Sequence, residues 1–553
     1  MQEDDNQDLK RWQIWLPTMV ALSLVFGIFT GLKLQENQPL VIKEEPSENG
    51  SSLGYGRMEE LVRYIDAKYV EDVEGDELVK TAIEEVLRQL DPHSSYITKE
   101  ELRSVNEQLQ GNFDGIGIEF MLLDDTIVVV SPLTGGPSEI AGIITGDKII
   151  QVEDSIIAGK NLNSDEIVEF LRGEKGTKVT LGILRGGEEK IKKVTVTRDK
   201  IPTNSVDAHF MVDGKTGFIK INRFSATTYE DFMKSMEDLV DKNEAKNLII
   251  DLRQNPGGYL QEATSILSQL FDKRGKLLVY TEGRNVRRSD YETSGGNFFD
   301  IDKIAVLVDE GSASASEILA GAIQDWDRGT IIGRRSFGKG LVQEQYKLSD
   351  GSALRLTVAR YYTPSGRCIQ RDYSDEEHYE DDFHARLESG ELQTGEAPEL
   401  ADTTKFYTAG GRIVYGGGGI SPDVFVPLDT LVYNEDYLNL RQESAPFIFK
   451  YYEANKANLK YDSVNDFMEN FNIPESLYQE FLAFAAAAEI NPSKKVLNKI
   501  EKPVKKYLKA RLAKHLFDEN ALFQVLSSDD PFILEALESF KNPSILPIVE
   551  NNN

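Results

Sequence analysis

Cysteine is nearly absent. The 553 residues hold one, Cys368, so no intrachain disulfide can form. Histidine is scarce as well, with five residues, which leaves little material for a triad or a histidine-rich metal site. Positive charge is in deficit: 62 Lys and Arg face 92 Asp and Glu, a formal net charge of -30. A chain this acidic does not neutralise phosphates, which excludes nucleic acid as a partner. No internal repeat and no Gly-x-Ser-x-Gly elbow is present. Long apolar runs are missing with one exception, residues 14–32, which carry no charge and follow Lys10 and Arg11. About 20 such residues span a bilayer, and flanking positive charge keeps the amino terminus inside. The expectation is a membrane anchor at 13–33 behind a cytoplasmic tail at 1–12. A cleaved signal peptide is the competing reading, but no small-x-small cleavage site follows the run cleanly. Either way the bulk of the chain lies outside the cytoplasm.

What is present divides into several units. Hydrophobic content of 40% with 28% charge is that of a globular protein, and the length calls for three or four cores. Residues 34–54 are polar and read as a tether. Residues 55–110 carry apolar positions at helical spacing (Met58, Leu61, Val62, Ile65). Thr98 with Glu101 three residues on predicts a capping box. From 111 to 200 short strands and turns dominate, with a helix expected to start at a Ser164 cap. From 201 to 428 strands and helices alternate in the α/β manner. Within that stretch residues 373–406 are acidic and read as an irregular, solvated insertion. Residues 429–553 are helical in pattern, with a basic stretch at 494–514.

The chemistry-bearing segment is Asp309-Glu310-Gly311-Ser312-Ala313-Ser314-Ala315-Ser316-Glu317-Ile318. An apolar strand enters a turn of small residues and a helix leaves it. A serine at such a helix start meets free amides and the positive end of the dipole, which together stabilise an oxyanion. The plain alternative is a helix capped by Ser312 or Ser314. A serine nucleophile needs a base, and the histidines are poorly placed for one. His378 and His384 sit among acids, where a metal site is one reading and a solvated loop the better one. Lysine is the other available base. Lys339 lies between Gly338 and Gly340, where the backbone can turn tightly. Burial would lower its pKa from about 10.4 and free the amine to accept a proton. Ser336 and Lys339 also form a Ser-x-x-Lys pair, but that motif needs a helix, which the flanking glycines oppose.

The run GSASASEILAGAIQD followed by GRRSFGKGLVQ resembles the carboxy-terminal processing (tail-specific) serine peptidases. That resemblance implies Ser314 as nucleophile, Lys339 as general base and Gln343 as the residue that orients the lysine. Glu317 matches an acidic position near the serine. Arg253-Gln254-Asn255-Pro256-Gly257-Gly258 is similar to the family's oxyanion turn, which implies amides of Ala315 and of Gly257 or Gly258 as the oxyanion hole. Leu90 to Tyr96 resembles a further family element, in which His93 has a structural role. Gly115-Ile116-Gly117-Ile118 resembles a PDZ loop that binds a peptide carboxylate.

The fold implied is an α/β peptidase core with an inserted or preceding PDZ domain, an N-terminal helical segment and a C-terminal helical extension, on one N-terminal transmembrane helix. The activity implied is cleavage of protein or peptide substrates near their C-termini, with the tail recognised and the site gated by the PDZ domain. No metal or cofactor is required. Candidate partners are substrates with free C-termini, the membrane through the anchor, a second copy of the chain, or an activating protein. The location implied is the inner (cytoplasmic) membrane, single-pass, with the catalytic part periplasmic. A PDZ-bearing scaffold or adaptor with an inert core is the alternative, and the retained Ser314, Lys339 and Gln343 speak against it.

Overall fold

The apolar runs that end at Asp251 and Val308 lie side by side in the middle of one sheet. The computed structural model describes residues 55–186, 188, 190–375, 379–395, 404–430 and 434–542. The sheet has six strands: β1 (Val206–Met211), β2 (Thr216–Ile221), β3 (Asn247–Asp251), β4 (Lys303–Val308), β5 (Thr330–Gly333) and β6 (Val424–Phe425). They pair in sequence order, β1 antiparallel to β2 and the rest parallel. Parallel strands are covered on both faces, which explains why β3 and β4 are apolar almost throughout. Leu248, Ile250, Val306 and Val308 face helices α1 (Leu260–Gln269) and α2 (Ala315–Asp325). Their alternates Ile249, Ala305 and Leu307 face the other way.

That second face is closed by the end of the chain. Phe532, Ile533, Ala536 and Phe540 pack on it. The C-terminal region supplies α3 (Glu435–Asn455), α4 (Lys494–Leu516) and α5 (Pro531–Lys541), and α5 carries these four residues. Ile533 is 1% exposed. Ile533→Ala is therefore expected to cost about 2–5 kcal/mol and to lower the melting temperature of the peptidase core as followed by calorimetry. The remaining C-terminal helices enclose their own core around Leu440, Ile448, Phe467, Phe481, Leu508 and Leu512.

Residues 118–197 form a separate small sheet. Its strands are Ile118–Leu123, Thr126–Pro132, Lys148–Val152, Ser155–Ile156, Lys178–Leu184 and Lys192–Thr197, with helices at Pro137–Ile140 and Ser164–Leu171. Ile127, Val129, Ile149, Ile167 and Leu181 make the core. The second helix begins one residue earlier than expected: Asn163, not Ser164, is its cap, because Asn163 Oδ1 accepts from Glu166 N while Glu166 accepts from Asn163 N. The capping box of Thr98 and Glu101 does form, on the helix Lys99–Gln110.

The acidic stretch at 373–406 departs from the solvated loop expected of it. Among its described residues Asp382–Glu388 and Glu391–Thr394 are helical. Arg386 and Glu391 are buried. Arg386 donates to the carbonyls of Arg335 (2.8 Å) and Ser336 (2.9 Å), and Arg335 donates to both Glu391 oxygens (2.7 and 2.9 Å). Buried charges are tolerated only when paired and hydrogen-bonded in this way. The segment therefore braces the turn that carries Lys339.

The anchor expected at 13–33 and His378 lie outside the described residues. Among the described residues no helix is long and apolar enough to cross a membrane.

Candidate active site

Three turns leave the C-terminal ends of β3, β4 and β5, where open parallel sheets place their ligands. The turn after β4 bears the serines. Ser312 is fully buried and spent on the backbone: its Oγ donates to Leu252 O (2.8 Å) and accepts from Asp309 N (2.9 Å). Ser314 is half-buried at the head of α2, with φ 54° and ψ -112°. A left-handed φ is uncommon for a residue with a Cβ, and such strain gathers at functional sites.

The turn after β3 lies against this serine. Gly257 and Gly258 have φ of 96° and 145°. A Cβ on Gly257 would fall 2.8 Å from Ser314 Cβ, and one on Gly258 would fall 2.1 Å from Phe224 O, so both positions demand glycine. Asn255 is buried and fastens the two turns: its carbonyl accepts from Ala313 N and Ser316 Oγ, each at 3.0 Å. Its Oδ1 accepts from Gly257 N (2.8 Å). The Gly257 amide is thus occupied, whereas those of Gly258 and Ala315 have no hydrogen-bond partner among the described residues.

The turn after β5 carries Lys339, behind Gly338 at φ 88°. Lys339 Nζ donates to Gln343 Oε1 (3.0 Å), and Gln343 Nε2 donates to His93 O (2.5 Å). Asp91 shapes the His93 segment by accepting from the His93 and Ser94 amides, both at 2.9 Å. Burial, and then the Arg355 guanidinium nearby, hold the Lys339 ammonium below its usual pKa. Burial also lowers the His93 imidazole to about 4, and its Nε2 pairs with Tyr379 OH at 2.6 Å. A cleft of about 570 Å³ brings Ser314, Lys339, Gln343, Gly257 and Gly258 together. Ser314 and Lys339 make no hydrogen bond to one another among the described contacts.

Two residues join the serine and lysine turns. Glu317 is fully buried and accepts from Ser314 N (2.8 Å), Ser336 Oγ (2.5 Å), Gly338 N (2.7 Å) and Lys339 N (2.9 Å). Desolvation outweighs these donors and raises its carboxyl to about 7. Tyr361, equally buried, has its hydroxyl 3.0 Å from Ser314 O and 2.5 Å from Lys339 O. Nothing in the sequence reading singled out Tyr361 or Asn255. A tyrosine four residues along the strand Ala353–Tyr362 from Thr357 looks like any strand residue, and only the pairing of that strand with Leu341–Lys347 brings it under the lysine turn.

Gly115, Ile116, Gly117 and Ile118 stand apart from this cleft, at the entry to the first strand of the small sheet. Gly117 has φ 69°, and the Ile116 carbonyl accepts from Ser138 N (3.1 Å) and Oγ (2.7 Å). No group of three or more His, Cys, Asp or Glu side chains placed to hold a metal exists among the described residues.

Comparison with known proteins identifies the family. A model of peptidase family S41 matches residues 215–377, and a PDZ domain model matches residues 115–196. A family of unknown function (DUF8443) matches residues 438–518. A carboxy-terminal-processing protease of Bartonella bacilliformis is 37% identical over 359 residues, which cover 63% of this chain and 80% of that protein. A probable CtpA-like serine protease of Staphylococcus aureus is 35% identical over 367 residues, 65% of this chain and 71% of the relative. Among solved structures, a photosystem II D1 C-terminal processing protease aligns over 68% of this chain and 89% of its own at 27% identity, with a TM-score of 0.33. The chain belongs to the carboxy-terminal-processing proteases of peptidase family S41, serine endopeptidases that carry a PDZ domain.

Proposed function

We propose that Ser314 and Lys339 are the catalytic pair. The observation that carries this reading is a lysine with a depressed pKa, held by Gln343 in the same cleft as a strained serine at a helix start. In its neutral form Lys339 takes the Ser314 Oγ proton as the oxygen attacks the scissile carbonyl. The oxyanion that forms lies at the amino terminus of α2, where the free amides of Ala315 and Gly258 donate to it, and Gly257 acts by setting the turn. The Lys339 ammonium then protonates the leaving amine; the neutral Lys339 left behind deprotonates the water that attacks the acyl carbonyl, and gives that proton to Ser314 Oγ as the acyl–oxygen bond breaks. Gln343 positions Lys339, and His93 fixes Gln343 through its carbonyl.

The loop Gly115-Ile116-Gly117-Ile118 receives the substrate's carboxylate, and the PDZ domain (111–200) gates the peptidase core (201–428). Residues 13–33 anchor the chain in the inner membrane, with 1–12 inside and the catalytic part in the periplasm.

The test is degradation of casein by the full chain in detergent, with a chelator present, beside Ser314→Ala. The wild type is expected to cut and Ser314→Ala to lose at least about 10³-fold in rate. Equal cutting by both would place the nucleophile elsewhere.

A further inference from the structure

A second cleft, of about 820 Å³, shares no lining residue with the catalytic one. Its floor is built from the starts of the same three turns: Arg253 and Gln254 after β3, Asp309 after β4 and Arg334 after β5. Its roof comes from the C-terminal region, with Arg441 on α3, Lys499, Lys502 and Lys506 on α4 and Phe532 on α5. In a chain of net charge -30, seven cationic side chains line this hollow against four carboxylates. Such a concave patch, set against an acidic surround, concentrates anions.

Most of the cations are already matched. Arg253 pairs with Asp251 (2.7 Å) and Asp530 (2.8 Å), Arg334 with Glu310 (2.8 Å), Lys220 with Asp251 (3.6 Å), and Lys502 and Lys506 both with Asp529. Arg441 and Lys499 have no carboxylate partner among the described residues. Arg441 instead lies over the Tyr507 ring at 4.5 Å. The same cleft has apolar lining from Leu428, Leu438, Pro503 and Phe532. Two cations without a carboxylate partner and apolar lining in a cleft of this volume describe a site for one anionic head on an apolar body.

We propose that this cleft binds an amphipathic carboxylate, either the free C-terminus of a short apolar peptide or a fatty acid. Occupancy has a route to catalysis. Asp309 ties two of the floor turns together, with its Oδ1 accepting from Gln254 N (2.9 Å) and Gly311 N (3.0 Å) and its Oδ2 from Gln254 Nε2 (2.8 Å). Those turns continue directly into Gly257, Gly258 and Ser314. The ligand therefore acts on the oxyanion and nucleophile turns from behind, and its binding does not depend on which residues perform the chemistry.

The experiment is titration calorimetry on the full chain carrying Ser314→Ala, so that no peptide is consumed. The probes are decanoate against decanol, and acetyl-Leu-Phe-Leu as the free acid against its amide. Saturable binding is expected for at least one acid, at least 10-fold weaker for its neutral counterpart and at least 10-fold weaker in Arg441→Gln/Lys499→Gln. Binding of the peptide acid alone assigns a peptide terminus, and binding of decanoate alone assigns a fatty acid. Lys499 is exposed, so Lys499→Glu supplies a variant whose folding is not in question; it is expected to weaken binding in the same direction. A carboxylate held at residues 115–118 would be untouched by these substitutions. Failure of both acids to saturate, or equal affinity in the wild type and both variants, overturns the proposal.

Discussion

Lys339→Met is expected to lower casein hydrolysis by at least about 10³-fold and, in the same protein, to raise the melting temperature at neutral pH. The two effects share one cause. Burial and the Arg355 charge disfavour the Lys339 ammonium, so the folded state gives up this proton at a lower pH than the unfolded chain, whose reference value is 10.5. Between the lowered value and 10.5 the unfolded state binds more protons, and stability rises with pH across that window. Below it the wild type carries the whole penalty of a buried charge, and methionine, of similar length, removes it. The gain in melting temperature should therefore be full at neutral pH and shrink as pH rises toward 10.5. The same depression predicts that wild-type kcat/KM climbs with pH along a limb whose apparent pKa lies below 10.5, and that Arg355→Met moves this limb upward. A variant that is inactive but no more stable than the wild type would mean that Lys339 is not held as a desolvated charge.

The strands and turns that hold Ser314, Lys339 and the paired glycines were legible in the sequence because their signals are local. An apolar run, then small residues, then a helix start marks Ser314; glycines on both sides mark Lys339; Asn-Pro-Gly-Gly marks the turn beside them. What could not be read is whatever depends on partners far away in the chain. Tyr361 reaches the Ser314 and Lys339 carbonyls through sheet pairing. Asn255 distinguishes Gly257 from Gly258 by occupying one amide, a matter of side-chain geometry that no spacing encodes. The acidic composition of 373–406 suggests solvation, yet Glu391 is buried because Arg335, 56 residues earlier, supplies its counter-charge. Composition reports the average environment of a segment, and here the two buried ions are the exceptions that fix its place. The helical pattern of the last region was visible, but not that α5 leaves the bundle to cover the peptidase sheet, since an amphipathic stripe does not name the face it will meet.

Glu317→Gln is expected to lower the melting temperature by several degrees and activity by about 10²-fold, although it replaces the side chain with one of the same shape. Two donors point at each Glu317 oxygen: Ser336 Oγ and Gly338 N at Oε1, Ser314 N and Lys339 N at Oε2. A glutamine has one accepting oxygen, so its amide nitrogen must face one of these pairs whichever way it turns. In one orientation the Ser336 hydroxyl can turn to accept from the amide, so one or two buried donors are left unmatched; at about 1–3 kcal/mol each, the substitution costs about 1–6 kcal/mol. The damage falls between the serine and lysine turns, where the distance from Nζ to Oγ is set, so kcat should fall more than KM rises. The carboxyl also leaves a signature that a purely steric role would lack. Its folded value of about 7 lies above the reference of 4.5, so between those values the folded state holds the extra proton and stability falls as pH rises. Melting temperatures of wild type and Glu317→Gln across that interval separate the cases: the downward slope should be present in the wild type and lost in the variant. If the variant keeps the slope, another group titrates there, and Glu317 serves the site only as an acceptor fixed in its charged form.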